Sequence, residues 1–100
     1  MDEQARVAAF LDDNDMRVPP ANRVLDLASE VGELAKNVNE STDYGAGAGA
    51  DVERDELGDA LFCLLALADE LDYDAGAALD EALAKYEDRL AESGSAGSGE

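Results

Sequence analysis

Between residues 24 and 38 the apolar side chains Val24, Leu27, Ala28, Val31, Leu34, Ala35 and Val38 fall at steps of three and four. A chain with about 3.6 residues per turn puts all of them on one stripe, so the segment can hide its apolar surface as a helix and not as a strand. Similar steps recur at Leu57, Leu61, Leu64, Ala68 and Leu71, and again at Ala78, Leu79, Ala82, Leu83, Tyr86 and Leu90. A shorter segment over residues 3–13 carries Val7, Phe10 and Leu11 near one face. Nowhere does the pattern alternate with the period of two that a half-buried strand requires. Alanine, leucine and glutamate are abundant while aromatics are only 5% of the chain, which again favours helices. The expected fold is all-α, a bundle of about four helices per chain completed by oligomerisation.

The breaks between the stripes set the expected boundaries. Pro19–Pro20 suits a helix entry, because a first turn leaves the missing proline donor unused, and the second helix is expected over about 21–41. The stretch TDYGAGAGA at 42–50 has no periodicity and reads as a loop. Asp51 is the expected N-cap of a third helix running to about Leu71, and Asp74 that of a fourth running to about Glu92. On the third helix Phe62, Leu65 and Ala66 add apolar surface away from the leucine stripe. A helix apolar on most sides is either central or used in association with another copy. The closing SGSAGSGE reads as a flexible tail, so the domain is expected over 1–92 with the tail at 93–100.

Charge excludes several partners. Twenty-five acidic residues against seven basic ones give a net charge of −18. Such a surface repels nucleic acids and anionic membranes. It is the balance expected of a protein kept soluble in concentrated salt, where repulsion is screened over about 3 Å, and a halophilic, cytoplasmic setting is expected. The lone Cys63 cannot form an internal disulfide, in keeping with a reducing compartment, and its expected place is a small buried residue. The opening MDEQARV has no basic leader pattern and no apolar run approaches the length of a membrane span.

Acid-x-x-acid spacing is uninformative in so acidic a chain: it occurs six times, about what random placement gives, and only helix neighbours interact at that step. Position is more telling. Glu30-Val-Gly-Glu33-Leu and Glu56-Leu-Gly-Asp59-Ala repeat the same order of acid, apolar, glycine, acid, apolar on the flanks of two stripes. Like charges one turn apart repel, and a helical glycine costs about 1 kcal/mol relative to alanine, so each frame accepts two penalties. If the two stripes pack together, the four carboxylates share a cleft where they cannot all ionise without a compensating cation. Magnesium is the expected ion and manganese the alternative, as hard cations that take oxygen ligands. A chain without histidine and with one cysteine is poorly equipped for softer metals. The plain alternative is that both pairs face water and that the glycines only let helices approach.

LASEVGELAK followed by RDELGDALFCLLALADEL resembles the signature of the MazG-like all-α nucleoside triphosphate pyrophosphohydrolases. The likeness runs from about Arg23 to Arg89 and includes the closing KYEDR. The resemblance implies a helical bundle assembled as a homodimer or homotetramer. It implies magnesium held by Glu30, Glu33, Glu56 and Asp59, and hydrolysis between the α and β phosphates to a nucleoside monophosphate and pyrophosphate. Ser29 stands where many members carry a further acid.

Cations that could grip phosphates are few. Arg23 lies two turns before Glu30 on nearly the same face, and Lys85 and Arg89 lie one turn apart on the last helix. Local pairing, of Lys85 with Glu81 or Arg89 with Asp88, is the simpler role for each. Tyr44 and Phe10 could stack on a base, although a loop tyrosine and a core phenylalanine account for them equally well. Two other activities stay open at this point: a phosphoribosyl-ATP pyrophosphohydrolase, whose fold and acidic motifs are related, and a non-catalytic helical assembly or regulatory subunit.

Overall fold

The computed structural model describes residues 2–41 and 51–93. These form α1 (Asp2–Asp13), α2 (Pro20–Ser41), α3 (Arg54–Glu70) and α4 (Ala75–Ser93), with no strand among the described residues. The expected all-α fold of four helices is therefore what the chain adopts. The glycine-alanine stretch at 42–50, with Tyr44, and all of the tail beyond Ser93 lie outside the described residues, while Ser93 itself belongs to α4.

The turns follow from side-chain chemistry. Asp15 (φ 52°) and Asp72 (φ 59°) take the left-handed conformation just past α1 and α3, which a short polar side chain tolerates better than most. The chain then folds back on the helix end: the Tyr73 N–H donates to Ala68 O at 2.9 Å and the Met16 N–H to Leu11 O at 2.8 Å. Asp74 caps α4 as expected, its Oδ1 accepting from the Gly76 N–H at 3.0 Å. The expected Asp51 cap is not used. The N-cap of α3 is Glu53, without a side-chain cap bond; the Asp51 backbone N–H donates to Ser41 Oγ at 2.8 Å.

Helix α3 is central. α2 packs along it most extensively, α1 packs beside it, and α4 meets it only slightly. Buried Gln4 of α1 pins the α3–α4 corner: its Nε2 donates to Tyr73 O at 2.8 Å and its Oε1 accepts from the Ala75 N–H at 2.7 Å. Arg17 draws the α1–α2 linker to the same end, with Nη1 on Asp69 Oδ2 at 2.5 Å and Nε on Asp12 Oδ1 at 2.9 Å.

The inward faces differ from the expected ones. The core is Leu11, Cys63, Leu65 and Ala66, whereas Leu57 of the expected α3 stripe is 60% exposed and Leu61 and Leu64 are 48% exposed. On α2, Leu27 and Leu34 are half-buried while Val24 and Val31 are open. On α4 nothing is buried, and Leu79, Leu83 and Leu90 face outward. The physical reason is that α3 is apolar on most sides. One side, through Phe62, Leu65 and Ala66, serves α1 and α2, and the leucine stripe is left over. The radius of gyration is 16.4 Å, against about 13 Å for a compact chain of this length.

Candidate active site

Packing of α2 on α3 sets the two repeated acid frames facing one another. One carboxylate oxygen each from Glu30, Glu56 and Asp59 can be chosen so that all lie within 4.8 Å of one another. Oxygen ligands of one small divalent cation sit roughly 3–4 Å apart at metal–oxygen distances of about 2.1 Å. Glu30 and Glu56 are half-buried and Asp59 is exposed. Glu33, exposed and one turn beyond Glu30, is not in this three-residue set.

Electrostatics link all four acids. Partial burial pushes the Glu56 carboxyl above its usual range, and the charges of Asp55, Asp59, Glu33 and Glu30 push it in the same direction. Glu33 is thus within electrostatic reach of the set. The arrangement is a pocket of negative charge with too few cations around it, which is the condition a divalent ion relieves.

The two glycines of the frames have no steric duty within the chain. A Cβ added at Gly32 or Gly58 would meet nothing within 4 Å. Close approach of α2 and α3 does not explain them.

A recess of about 360 Å³ opens beside the acids, bordered by Glu30 and Asp59 and lined also by Met16, Arg23, Asp26, Ser29, Phe62 and Cys63. Arg23 is 5% exposed. Its Nη2 donates to Met16 O at 2.5 Å, Nη1 lies 3.7 Å from Asp26 Oδ2, and the guanidinium carbon lies 5.9 Å from the centre of the Phe62 ring. Phe62 in turn meets Phe10 edge-on, with ring centres 6.0 Å apart, so Phe10 packs against a neighbouring ring. Burial pushes the Cys63 thiol up, Asp26, Glu30 and Asp59 push it further, and Arg23 opposes them. A protonated, buried thiol is no nucleophile.

Of the three cations singled out in the sequence, only Arg23 borders the acids. Lys85 and Arg89 lie on α4, flanking the ring of Tyr86 at 5.3 and 5.7 Å, and line no part of the recess. Sequence reasoning passed over Asp26 and Phe62 as site residues. The signal for Asp26 was its place one turn before Glu30 on the same face; Phe62 gave none beyond being apolar.

Clustered carboxylates offered by neighbouring helices of an all-α domain, with no histidine or thiolate to serve as ligand, define a class of proteins suited to hard divalent cations and phosphate esters. The family comparison is more specific: the model of the MazG nucleotide pyrophosphohydrolase domain matches residues 20–92. The chain belongs to the MazG nucleotide pyrophosphohydrolase domain family, all-α proteins whose members are pyrophosphohydrolases typically using a divalent metal. The match spans α2, α3 and α4 and includes every acid of the cluster. No curated protein and no solved structure matches the chain significantly. No described helix is long and apolar enough to cross a membrane.

Proposed function

We propose that the protein hydrolyses a nucleoside triphosphate to the monophosphate and pyrophosphate, with Glu30, Glu33, Glu56 and Asp59 as the carboxylates that hold magnesium, or manganese in its place. The observation that carries this reading is the convergence of Glu30, Glu56 and Asp59 from two helices. A divalent cation held by these residues would neutralise phosphate charge and lower the pKa of a water beside it. The acids would hold the cation, and they orient the attacking water. One of them accepts the proton as the water oxygen bonds to the α phosphorus, the bond from that phosphorus to the bridging oxygen breaks, and pyrophosphate leaves with the electron pair. Arg23 at the border of the cluster faces the substrate. Lys85 and Arg89 grip phosphates when α4 of a second copy closes over the exposed leucine stripes in a homodimer or homotetramer, the assembly the open α3 and α4 faces favour. A salt-rich cytoplasm is the setting that the charge of −18 fits.

The test is pyrophosphate release from a nucleotide panel at molar salt, with and without magnesium. Native protein releases pyrophosphate only with the ion, and Asp59→Asn and Glu33→Gln each lose about 100-fold, the scale set by removing a group that stabilises transition-state charge. Release of orthophosphate alone, or full activity in Asp59→Asn, would overturn the reading. A phosphoribosyl-ATP preference would show in the same panel.

A further inference from the structure

Arg23 is a cation with only 5% of its surface exposed. Burying a charge is costly unless the group is paired and hydrogen-bonded. Its Nε is sealed from solvent without a partner, so the two Nη groups carry its polar contacts. Asp26 is the looser of these, 3.7 Å from Nη1 and with 55% of its side chain exposed. The Met16 carbonyl, 2.5 Å from Nη2, is the close one. That carbonyl is what keeps the Arg23 guanidinium beside the carboxylates.

The support for the carbonyl lies outside the matched domain, since Met16 and Arg17 precede residues 20–92. Both sit in the α1–α2 linker, just after left-handed Asp15. The Asn14, Asp15 and Met16 N–H groups donate to Phe10 O, Asp12 O and Leu11 O, all at the end of α1. Among the described residues, Arg17 makes the hydrogen bonds that join the linker to α3. Its Nη1 meets Asp69 Oδ2 at 2.5 Å and Glu70 Oε1 at 3.5 Å, while its Nε holds Asp12 Oδ1 at 2.9 Å. The side chains of Asp69 and Glu70 are only 24% and 12% exposed, so salt screens these pairs less than open surface ones. A rigid guanidinium fork can bridge acids of two helices in a way an ammonium cannot.

Resting on the hydrolase reading above, we propose that Arg17 is a positioning residue for substrate binding. By fastening the linker to the end of α3 it keeps the Met16 carbonyl on Arg23, and so keeps a cation at the border of the acid cluster. Arg17 itself lines no part of the recess beside the acids. The charge of Arg23 does reach the cluster, for it opposes Asp26, Glu30 and Asp59 at the Cys63 thiol. An anionic substrate nearing those carboxylates is favoured by that charge, and the benefit falls on KM.

The test has two arms, both on the full chain at one fixed salt concentration. The first needs no substrate: exchange of the Arg23 Nε–H with solvent is followed by NMR, with the Leu65 and Ala66 amides of the core as reference. Arg17→Gln speeds the Nε–H about fivefold more than it speeds the reference amides, the scale on which residues remote from a site act. Asp69→Asn does the same in part, Arg17→Lys falls between Arg17→Gln and the native protein, and the double variant matches Arg17→Gln alone. In the second arm, pyrophosphate release with magnesium shows KM for the triphosphate raised about fivefold in Arg17→Gln, with kcat unchanged.

Nε–H exchange that rises no more than the core amides would overturn the assignment, because Arg17 would then serve only the stability of the fold. Effects that add in the double variant, or a lower kcat with KM unchanged, would overturn it too, even with pyrophosphate release intact. Selectively faster Nε–H exchange in a protein that releases pyrophosphate from no nucleotide would uphold the fastening of Arg23 and overturn the reaction.

Discussion

Glu30 on α2 and Asp59 on α3 bring carboxylate oxygens within 4.8 Å of each other across a helix–helix junction, with Glu56 completing the group. Partial burial, and then the charges of Asp55, Asp59, Glu33 and Glu30, raise the Glu56 carboxyl above its usual range.

Glu56 thereby ties stability to pH. Its folded-state value is raised, so the native state binds the extra proton and is favoured as pH falls into that raised range; charging the group as pH rises opposes folding. Without divalent ions, Glu56→Gln melts above the native protein at neutral pH. The difference closes as pH falls to the ordinary glutamate range of about 4.3. Added magnesium reverses the order by stabilising only the native protein. Thermal melts across pH, with and without the ion, measure this.

Gln4 is the polar rivet between α1 and the α3–α4 corner. Gln4→Leu removes the acceptor for the Ala75 N–H and the donor to Tyr73 O. A loss of about 1–3 kcal/mol is expected, the cost of leaving such groups without a partner, and urea unfolding gives it directly.

The glycines give the opposite sign. Because a Cβ at Gly32 or Gly58 meets nothing within 4 Å, Gly32→Ala and Gly58→Ala should each stabilise the isolated chain by about 0.5–1 kcal/mol. Destabilisation by either substitution would reveal a neighbour from another copy on that face.

These cases show what could be read from the residues and what could not. The helices were legible because steps of three and four admit few other forms, and Asp74 was legible because a cap is local. The start of α3 was not, since its N-cap is Glu53 with no side-chain cap bond, so no capping side chain marks it in the sequence. Nor was the inward face of α3: periodicity finds two apolar stripes on it, and only the partners decide between Leu65 and Leu64. The acid frames pointed to a shared cleft because they repeat. The burial of Arg23 depends on Met16 O and Phe62, contacts that spacing does not encode.

The leucine stripes predict assembly. On α3 and its C-cap the sequence 57, 61, 64, 68, 71 and on α4 the sequence 79, 83, 86, 90 alternate steps of four and three, the spacing of a coiled-coil seam. Light scattering in molar salt should return a dimer or tetramer, and Leu64→Glu or Leu83→Glu should shift it towards monomer. Lowering salt should weaken the native assembly too, because the Debye length grows from about 3 Å at 1 M to about 10 Å at 0.1 M and unscreens the charge of −18.

The most direct measurement is hydrolysis of a nucleoside triphosphate in water enriched in oxygen-18, with magnesium, followed by mass spectrometry of both products. Attack at the α phosphorus by water held among Glu30, Glu33, Glu56 and Asp59 puts the label in the nucleoside monophosphate and leaves pyrophosphate unlabelled. Label in the pyrophosphate, or no cleavage between these phosphates at all, would contradict the account.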